Sequence, residues 1–290
     1  MGEPTRAAVQ QDIEVAQAAG VIALGNITSR ILGVVRETVK AGYFGATGSV
    51  GALEVAIRVP TLIYDLLVGG MINSALVPVL SDYAGPERRA ELWRLVSILL
   101  TLTVVVLSAC VVLGELLAPQ IIWLMAGGLD ESLQAEATAL LRTMLPAVLF
   151  LNVAGIVSGT LYALRRFAYP AFTAAAYNAA IVLTVLLLGR RWGVTSAALG
   201  LLAGAVVQLA LQLPGLRDAR LRFALSRSHP ELRRIARPYV PIALGLTVDM
   251  LGVALSYNLA MRRSSGWLRE RANRRRASRR PGNCRASCTT

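Results

Sequence analysis

The chain has 290 residues, of which 55% are hydrophobic and only 16% are charged, and its mean hydropathy is +0.55. Soluble domains are about 45–50% apolar and about 25% charged, so this composition excludes a disordered protein and argues against a soluble enzyme. Three cysteines and one histidine exclude a disulfide-stapled scaffold and a histidine-based metal cluster, and we expect neither a metal nor another cofactor.

The chain order of polar and apolar segments predicts a membrane bundle. Residues 1–14 are polar and lack the basic and apolar regions of a signal peptide, so they predict a short N-terminal segment. Seven long stretches then follow, each able to cross a hydrocarbon core of about 30 Å as a helix. They are residues 15–43, 51–81, 95–114, 143–164, 167–189, 192–216 and 238–261. Open backbone cannot face lipid, so the predicted fold class is all-α, with about seven transmembrane helices.

The arginine distribution predicts that the N-terminus is cytoplasmic. With that orientation thirteen arginines lie in cytoplasmic segments, including a basic loop at 217–237 that we expect to contact anionic lipid headgroups. The outer loops hold Lys40, Arg190 and Arg191. The predicted organisation is a six-helix lobe at 15–216, the basic loop, a seventh helix at 238–260 and a tail at 261–290.

The tail at 261–290 differs in composition from the rest of the chain. It holds ten arginines and one glutamate and has almost no aliphatic residues. Two interpretations remain open, a disordered basic tail and out-of-frame translation of a GC-rich gene. The tail has Trp267 as its one aromatic residue, so it lacks a stacking platform and we expect no nucleic acid partner.

The first two predicted helices carry charges that a lipid-facing helix would not tolerate. At 100° per residue the first helix shows one polar stripe of about 120°, formed by Asn26, Ser29, Arg30, Gly33, Arg36, Glu37 and Lys40. The second helix has a similar stripe, formed by Glu54, Arg58, Asp65 and Asn73. A charge at mid-membrane costs about 2.5–3.5 kcal/mol, so we expect these stripes to face each other or a water-filled cavity. Lys40 is the exception, because it lies close enough to the outer surface to snorkel.

Such a cavity favours an anionic substrate, because the planar guanidinium fork of arginine fits phosphate oxygens. No segment resembles a nucleotide-binding loop, so a transporter that does not use ATP fits better than a pump. A membrane-embedded glycosyltransferase is disfavoured, because no loop carries a pair of catalytic carboxylates.

Two segments identify a family. The sequences SRILGVVRETVKAGYFGATG, from Ser29, and VPTLIYDLLVGGMINSALVPVLSDYA, ending at Ala84, resemble the N-terminal signature of the lipid II flippase family (MurJ/MviN) in the MOP transporter superfamily. A looser similarity continues through YALRRFAYPAFTAAAYN at 162–178. The resemblance implies two pseudo-symmetric six-helix lobes around a cationic cavity, which carries a lipid-linked diphosphate sugar outward across the bacterial inner membrane.

The resemblance also implies roles for individual residues. Arg30 and Arg36 match the family's first-helix arginines and would contact the diphosphate, with Ser29 and Glu37 as their polar neighbours. Arg58 matches a basic family position. The remaining stripe residues would line the cavity, namely Asn26, Gly33, Glu54, Asp65 and Asn73.

The chain departs from the family in charge and in length. Gly51, Asp65 and Gly69 stand where the family has residues of different charge. After Ala260 the family continues into an eighth helix, so a C-terminal half would be a partner. Two alternatives therefore remain: a non-transporting fragment or half-transporter subunit, and a MOP-type exporter of another amphiphilic anion.

Overall fold

The computed structural model describes residues 6–65 and 76–219, together with 248, 252, 255 and 256. Within these residues the regular elements are helices, which confirms the predicted all-α bundle. The α-helices are α1 (Arg6–Phe44), α2 (Gly48–Tyr64), α3 (Val77–Ser81), α4 (Arg89–Ala126), α5 (Glu131–Ala163), α6 (Ala168–Ala171), α7 (Thr173–Trp192) and α8 (Thr195–Gln212). Short 3-10 helices occupy Pro86–Arg88 and Leu213–Leu216.

Five described segments are long and apolar enough to cross a membrane. They are Ala16–Phe44, Pro86–Ala126, Glu131–Ala163, Thr173–Trp192 and Thr195–Leu216. The predicted second helix at 51–81 coincides with α2 and α3, and residues 66–75 between them lie outside the described residues. Most of the predicted basic loop, most of the predicted seventh helix and all of the predicted tail also lie outside the described residues.

α4 and α5 are longer than the uncharged stretches that predict them. α4 continues C-terminally through residues 115–126, and α5 begins earlier and includes residues 131–142. Glu115 and Arg142 stand where the two helices leave their uncharged parts, and the Arg142 Nε lies 4.0 Å from a Glu115 carboxylate oxygen. The same nitrogen donates to the Glu115 backbone carbonyl at 3.3 Å. The two charges therefore lie close enough to compensate each other in part, and both side chains remain partly exposed.

The core lies between α2, α4, α5, α7 and α8, and it depends on close contact between helices. Leu53, Leu141 and Met144 are fully buried in it. α8 lies close against α7 at Gly204, where a Cβ atom would lie 2.8 Å from the Tyr177 ring. Small residues at such crossings allow helix backbones to pack tightly, and packing is the main stabilising contact between helices in lipid.

The chain turns sharply after α5 because Arg165 adopts a left-handed conformation with φ of 57°. The Arg166 amide donates to the Leu161 carbonyl at 2.8 Å and the Arg165 amide to the Tyr162 carbonyl at 3.0 Å. This is the paired hydrogen-bond pattern of a Schellman cap. The left-handed residue of that motif, here Arg165, is usually glycine. The turn leads into the short α6, which ends at Ala171, just before α7.

α1 packs on one side only. It contacts α6 and α7, and it is so close to α6 that a Cβ atom on Gly25 would lie 2.2 Å from the Ala171 carbonyl oxygen. Its other described faces expose apolar side chains such as Ile31 and Val34. α2 instead packs on α5, so a space remains between α1 and α2.

Candidate functional site

The space between α1 and α2 is an open cavity of about 1010 Å³, lined also by residues of α5, α7 and α8. Along α1 it extends from Ile22 to Lys40, which is about 27 Å at 1.5 Å per residue. Its wall alternates apolar residues such as Ile57 and Leu201 with polar side chains. Pockets for organic ligands are typically about 300–1,000 Å³, so this cavity can hold a large headgroup.

Four charged side chains form one cluster at the end of the cavity near the α1–α2 turn. Lys40 is 8% exposed, and its Nζ donates to Glu54 Oε1 at 2.8 Å and to Glu37 Oε2 at 3.1 Å. The other Glu37 oxygen accepts hydrogen bonds from Arg36, with Nη2 at 2.8 Å and Nε at 3.0 Å. Basic and acidic side chains therefore alternate from α1 to α2.

Asn178 of α7 contacts this cluster through Arg36 and also contacts the backbone of α1. Its Oδ1 accepts a hydrogen bond from Arg36 Nη1 at 2.9 Å, and its Nδ2 donates to the Ser29 carbonyl at 3.2 Å. Asn178 is buried, and Gly33 lies beside it, where a Cβ would make an ordinary contact of 3.9 Å with Nδ2. The amide therefore fixes both the position of α1 against α7 and the direction of the Arg36 side chain.

Apart from this cluster, the described cavity wall carries one charged side chain, Asp65. Ser158 and Gln208 also line the wall, and the Ser158 hydroxyl donates to the side-chain oxygen of fully buried Gln212 at 2.9 Å. The rings of Tyr162 and Phe167 meet beside them with centroids 6.2 Å apart. Hydroxyls, amides and aromatic rings suit a neutral polar group better than a phosphate.

The structure brings together only some of the residues that the sequence analysis names. Five of them line the cavity: Asn26, Arg36, Glu37, Glu54 and Asp65. Ser29 contributes through its contact with Asn178, whereas Gly33 lies beside Asn178 and outside the described cavity wall. Arg30 and Arg58 are exposed and lie outside the described cavity wall. Asn73 lies outside the described residues.

The sequence analysis does not predict the roles of two residues, Lys40 in the cluster and Asn178 beside it. Lys40 does not snorkel: it is buried in the cavity wall, because Glu54 reaches it from the next helix. Asn178 is the second, and the signal for it was an amide inside the apolar stretch 167–189. Buried amides in membrane helices generally form hydrogen bonds between helices, so this residue was open to prediction.

The described wall does not carry a positive excess. It holds two basic residues, Arg36 and Lys40, and three acidic ones, Glu37, Glu54 and Asp65. Both cations already have carboxylate partners inside the protein. Among the described residues no group of three or more histidine, cysteine or acidic side chains could hold a metal ion.

Comparison with known proteins identifies the family. The profile described as lipid II flippase MurJ matches residues 40–268. A lipid II flippase MurJ from Burkholderia cenocepacia is 28% identical over 250 residues, which cover 83% of this chain and 48% of that protein. A protein of Synechocystis sp. named "Probable lipid II flippase MurJ" is 30% identical over 263 residues, which cover 84% of this chain and 48% of that one.

Solved structures show the same fold. A lipid II flippase MurJ in an inward closed conformation has a TM-score of 0.68 at 22% identity, over 83% of this chain and 50% of that chain. A MATE protein has a TM-score of 0.65 at 14% identity, over 81% of this chain and 55% of that chain. The chain spans about half the length of the curated relatives it matches. Because the profile matches most of its length, this multi-pass bacterial membrane protein belongs to the lipid II flippase MurJ family.

Proposed function

We propose that the chain forms the N-terminal half of a flippase that moves a lipid-linked diphosphate oligosaccharide of the lipid II type outward across a bacterial inner membrane. The observation that carries the proposal is the cavity between α1 and α2, in which Arg36 and Lys40 lie inside a membrane-spanning segment. The proposed activity is transport without a chemical step, in keeping with the flippase names of the relatives.

The depth of the basic side chains supports a binding role. Arg36 lies eight residues from the Phe44 end of the span Ala16–Phe44, a distance of about 12 Å along the helix. A charge at that depth is stable only with partners or water, and Glu37, Glu54 and Asn178 supply the partners. Placing cations at this depth costs free energy, and an anionic ligand that binds them would account for their presence.

The basic residues also keep hydrogen-bonding capacity for a ligand. The contacts of Arg36 with Glu37 and Asn178 engage three N–H donors, and a guanidinium has five. Lys40 uses two of its three N–H donors, on Glu37 and Glu54. A diphosphate has enough acceptor oxygens to take the remaining donors of both residues at once.

Arg30 has a different position in this proposal. It lies near the centre of the span Ala16–Phe44, exposed beside apolar Ile27 and Ile31, and no described residue forms an ion pair with it. Lipid would not tolerate a bare charge there, so a second helical lobe or the ligand itself would cover this face. The architecture of two six-helix lobes implied by the family resemblance has such a lobe.

Substrate entry from the cytoplasm follows from the proposed orientation. The excess of arginine in the segments that include Arg88, Arg89 and Arg94 supports a cytoplasmic N-terminus. The end of the cavity near Tyr162 and Phe167 would then lie toward the cytoplasm, and the Lys40 cluster toward the outside.

A second candidate function is supported by the charge balance of the cavity wall. The described wall has more acidic than basic side chains, with Asp65 added to the two glutamates. Export of another amphiphilic anion, one with a cationic or zwitterionic part, would fit this balance. A half-transporter subunit that pairs with a separate polypeptide is the corresponding alternative for the assembly.

Growth rescue of a bacterial strain depleted of its own lipid II flippase tests the proposal. The 290-residue chain is expressed alone, or together with the complementary C-terminal half of the Burkholderia cenocepacia relative. We expect growth only with both halves, and we expect Arg36→Ala to abolish it. Arg142→Ala is the matched control, because Arg142 also pairs with a glutamate but lies outside the cavity wall.

Two results would contradict the proposal. Rescue by the pair carrying Arg36→Ala would remove the cavity cation from the mechanism. Failure of the wild-type pair, with both halves present in the membrane at normal levels, would favour the other exporter or a non-transporting chain.

A further inference from the structure

The Lys40–Glu54 ion pair crosses the cavity between two helices that otherwise pack on different neighbours. α1 packs on α6 and α7, whereas α2 packs on α5. The 2.8 Å contact between Lys40 Nζ and Glu54 Oε1 therefore joins the two walls at the charged end. Lys40 is buried, but the Glu54 side chain is 49% exposed, so one partner is fixed and the other faces the cavity.

Glu54 occupies the place that a ligand anion would take. Ammonium groups bind carboxylate and phosphate oxygens at the same distances, about 2.7–2.9 Å. A phosphate that approaches Lys40 from the cavity must either replace the Glu54 carboxylate or remain next to it, and two anions in contact repel each other. Glu37 is less easily replaced, because Arg36 and Lys40 hold its two oxygens from opposite sides.

We propose that Glu54 is an internal counter-ion that an anionic ligand displaces from Lys40, so that binding of the ligand exchanges the α1–α2 ion pair for a ligand contact. This inference rests on the proposed function. It makes Glu54 a specificity-determining residue: a weakly charged ligand cannot compete with the carboxylate, whereas a diphosphate, which carries several charges, can. The ligand class admitted by the cavity is therefore the polyanion.

The test is the affinity of the purified full chain, reconstituted in lipid nanodiscs, for inorganic pyrophosphate. We expect Glu54→Gln to bind pyrophosphate about tenfold more tightly than the wild type, which corresponds to ~1.4 kcal/mol. Glutamine keeps the side-chain length and an oxygen that accepts from Lys40, so the variant retains the helix contact. Lys40→Gln should weaken binding in both the wild-type and the Glu54→Gln background.

Two matched controls separate displacement from a general change in charge. Glu115→Gln removes a partly exposed carboxylate that pairs with Arg142 outside the cavity wall. Asp65→Asn removes a cavity carboxylate that interacts with Arg58 rather than Lys40 and lies about 16 Å along α2 from Glu54. We expect Glu115→Gln to change the affinity less than twofold, and Asp65→Asn to tighten binding less than Glu54→Gln does.

The outcomes distinguish this inference from the proposed function. If wild type and Glu54→Gln bind pyrophosphate equally, or if Asp65→Asn tightens binding as much as Glu54→Gln, the counter-ion role is wrong while anion binding stands. If neither the wild type nor Glu54→Gln binds pyrophosphate although both are folded, the anionic ligand of the proposed function is itself contradicted.

Discussion

Asn178 contributes both to the packing of α1 on α7 and to the position of Arg36 in the candidate site. The substitution Asn178→Leu tests these two contributions. The substitution keeps the approximate volume of the buried side chain and removes both polar contacts. Arg36 Nη1 loses its acceptor at 2.9 Å, and the Ser29 carbonyl loses its donor at 3.2 Å. α1 would then retain its packing on α6 and α7 without this polar link to α7.

The magnitude follows from the two hydrogen bonds. A hydrogen bond to a charged group contributes about 1.5–3 kcal/mol and a neutral one about 0.5–1.5 kcal/mol in soluble proteins. Bonds between membrane helices average about 0.6 kcal/mol, because the unfolded chain in lipid also finds partners. Arg36 keeps Glu37 as a partner, which limits the loss further. We therefore expect Asn178→Leu to lower the free energy of unfolding by about 1–2 kcal/mol, from twice the membrane average up to the lowest soluble values for the two bonds together.

The assay is reversible unfolding in mixed micelles with increasing fractions of a denaturing detergent, followed by tryptophan fluorescence. Asn152→Leu is the matched control: Asn152 is also buried, but it donates to the Val148 carbonyl of its own helix at 2.7 Å. We expect the control to lose less than about 0.6 kcal/mol, since no contact between helices changes. Equal losses in the two variants would refute the bridging role of Asn178.

Three further substitutions test other parts of the fold. Gly25→Val should destabilise the bundle by about 1–3 kcal/mol through overpacking against α6, whereas Gly20→Val, with open space around it, should not; thermal unfolding compares them. Arg165→Gly should stabilise the chain by about 0.5–1 kcal/mol, because glycine adopts the φ of 57° without strain, and a lower melting temperature would contradict this. Gln212→Leu should cost about 1–2 kcal/mol by leaving the Ser158 hydroxyl without its acceptor, and combining it with Ser158→Ala should restore part of the loss in a double-mutant cycle.

Much of the bundle could be predicted from the sequence because lipid imposes a simple rule. An uncharged stretch of about 20 residues must be a helix, and the stretches at 143–164, 167–189 and 192–216 coincide with α5, α7 and α8. The rule fails at helix ends. α4 and α5 continue beyond Glu115 and Arg142, and the contact between these two charges becomes visible only once the two helices are packed together.

The site was less predictable, because helical periodicity shows which residues share one face of a helix but not which residues of other helices contact that face. Arg30 and Arg36 lie at opposite edges of the predicted stripe, and the cavity faces the Arg36 side and its middle. Lys40 looked like a surface residue since Glu54, its partner, reaches it only after the chain has turned. Asn178 is 142 residues from Arg36 in sequence, so no local pattern joins them.

The most direct measurement is the amount of lipid-linked precursor on the outer leaflet of flippase-depleted cells that carry the two halves together. An enzyme added outside the cells degrades only outward-facing precursor, and its products are counted. We predict that the wild-type pair and Arg142→Ala restore accessible precursor, whereas Arg36→Ala leaves it at the depleted level with the protein still in the membrane. Full accessibility with Arg36→Ala would contradict a cavity that carries its substrate through this arginine.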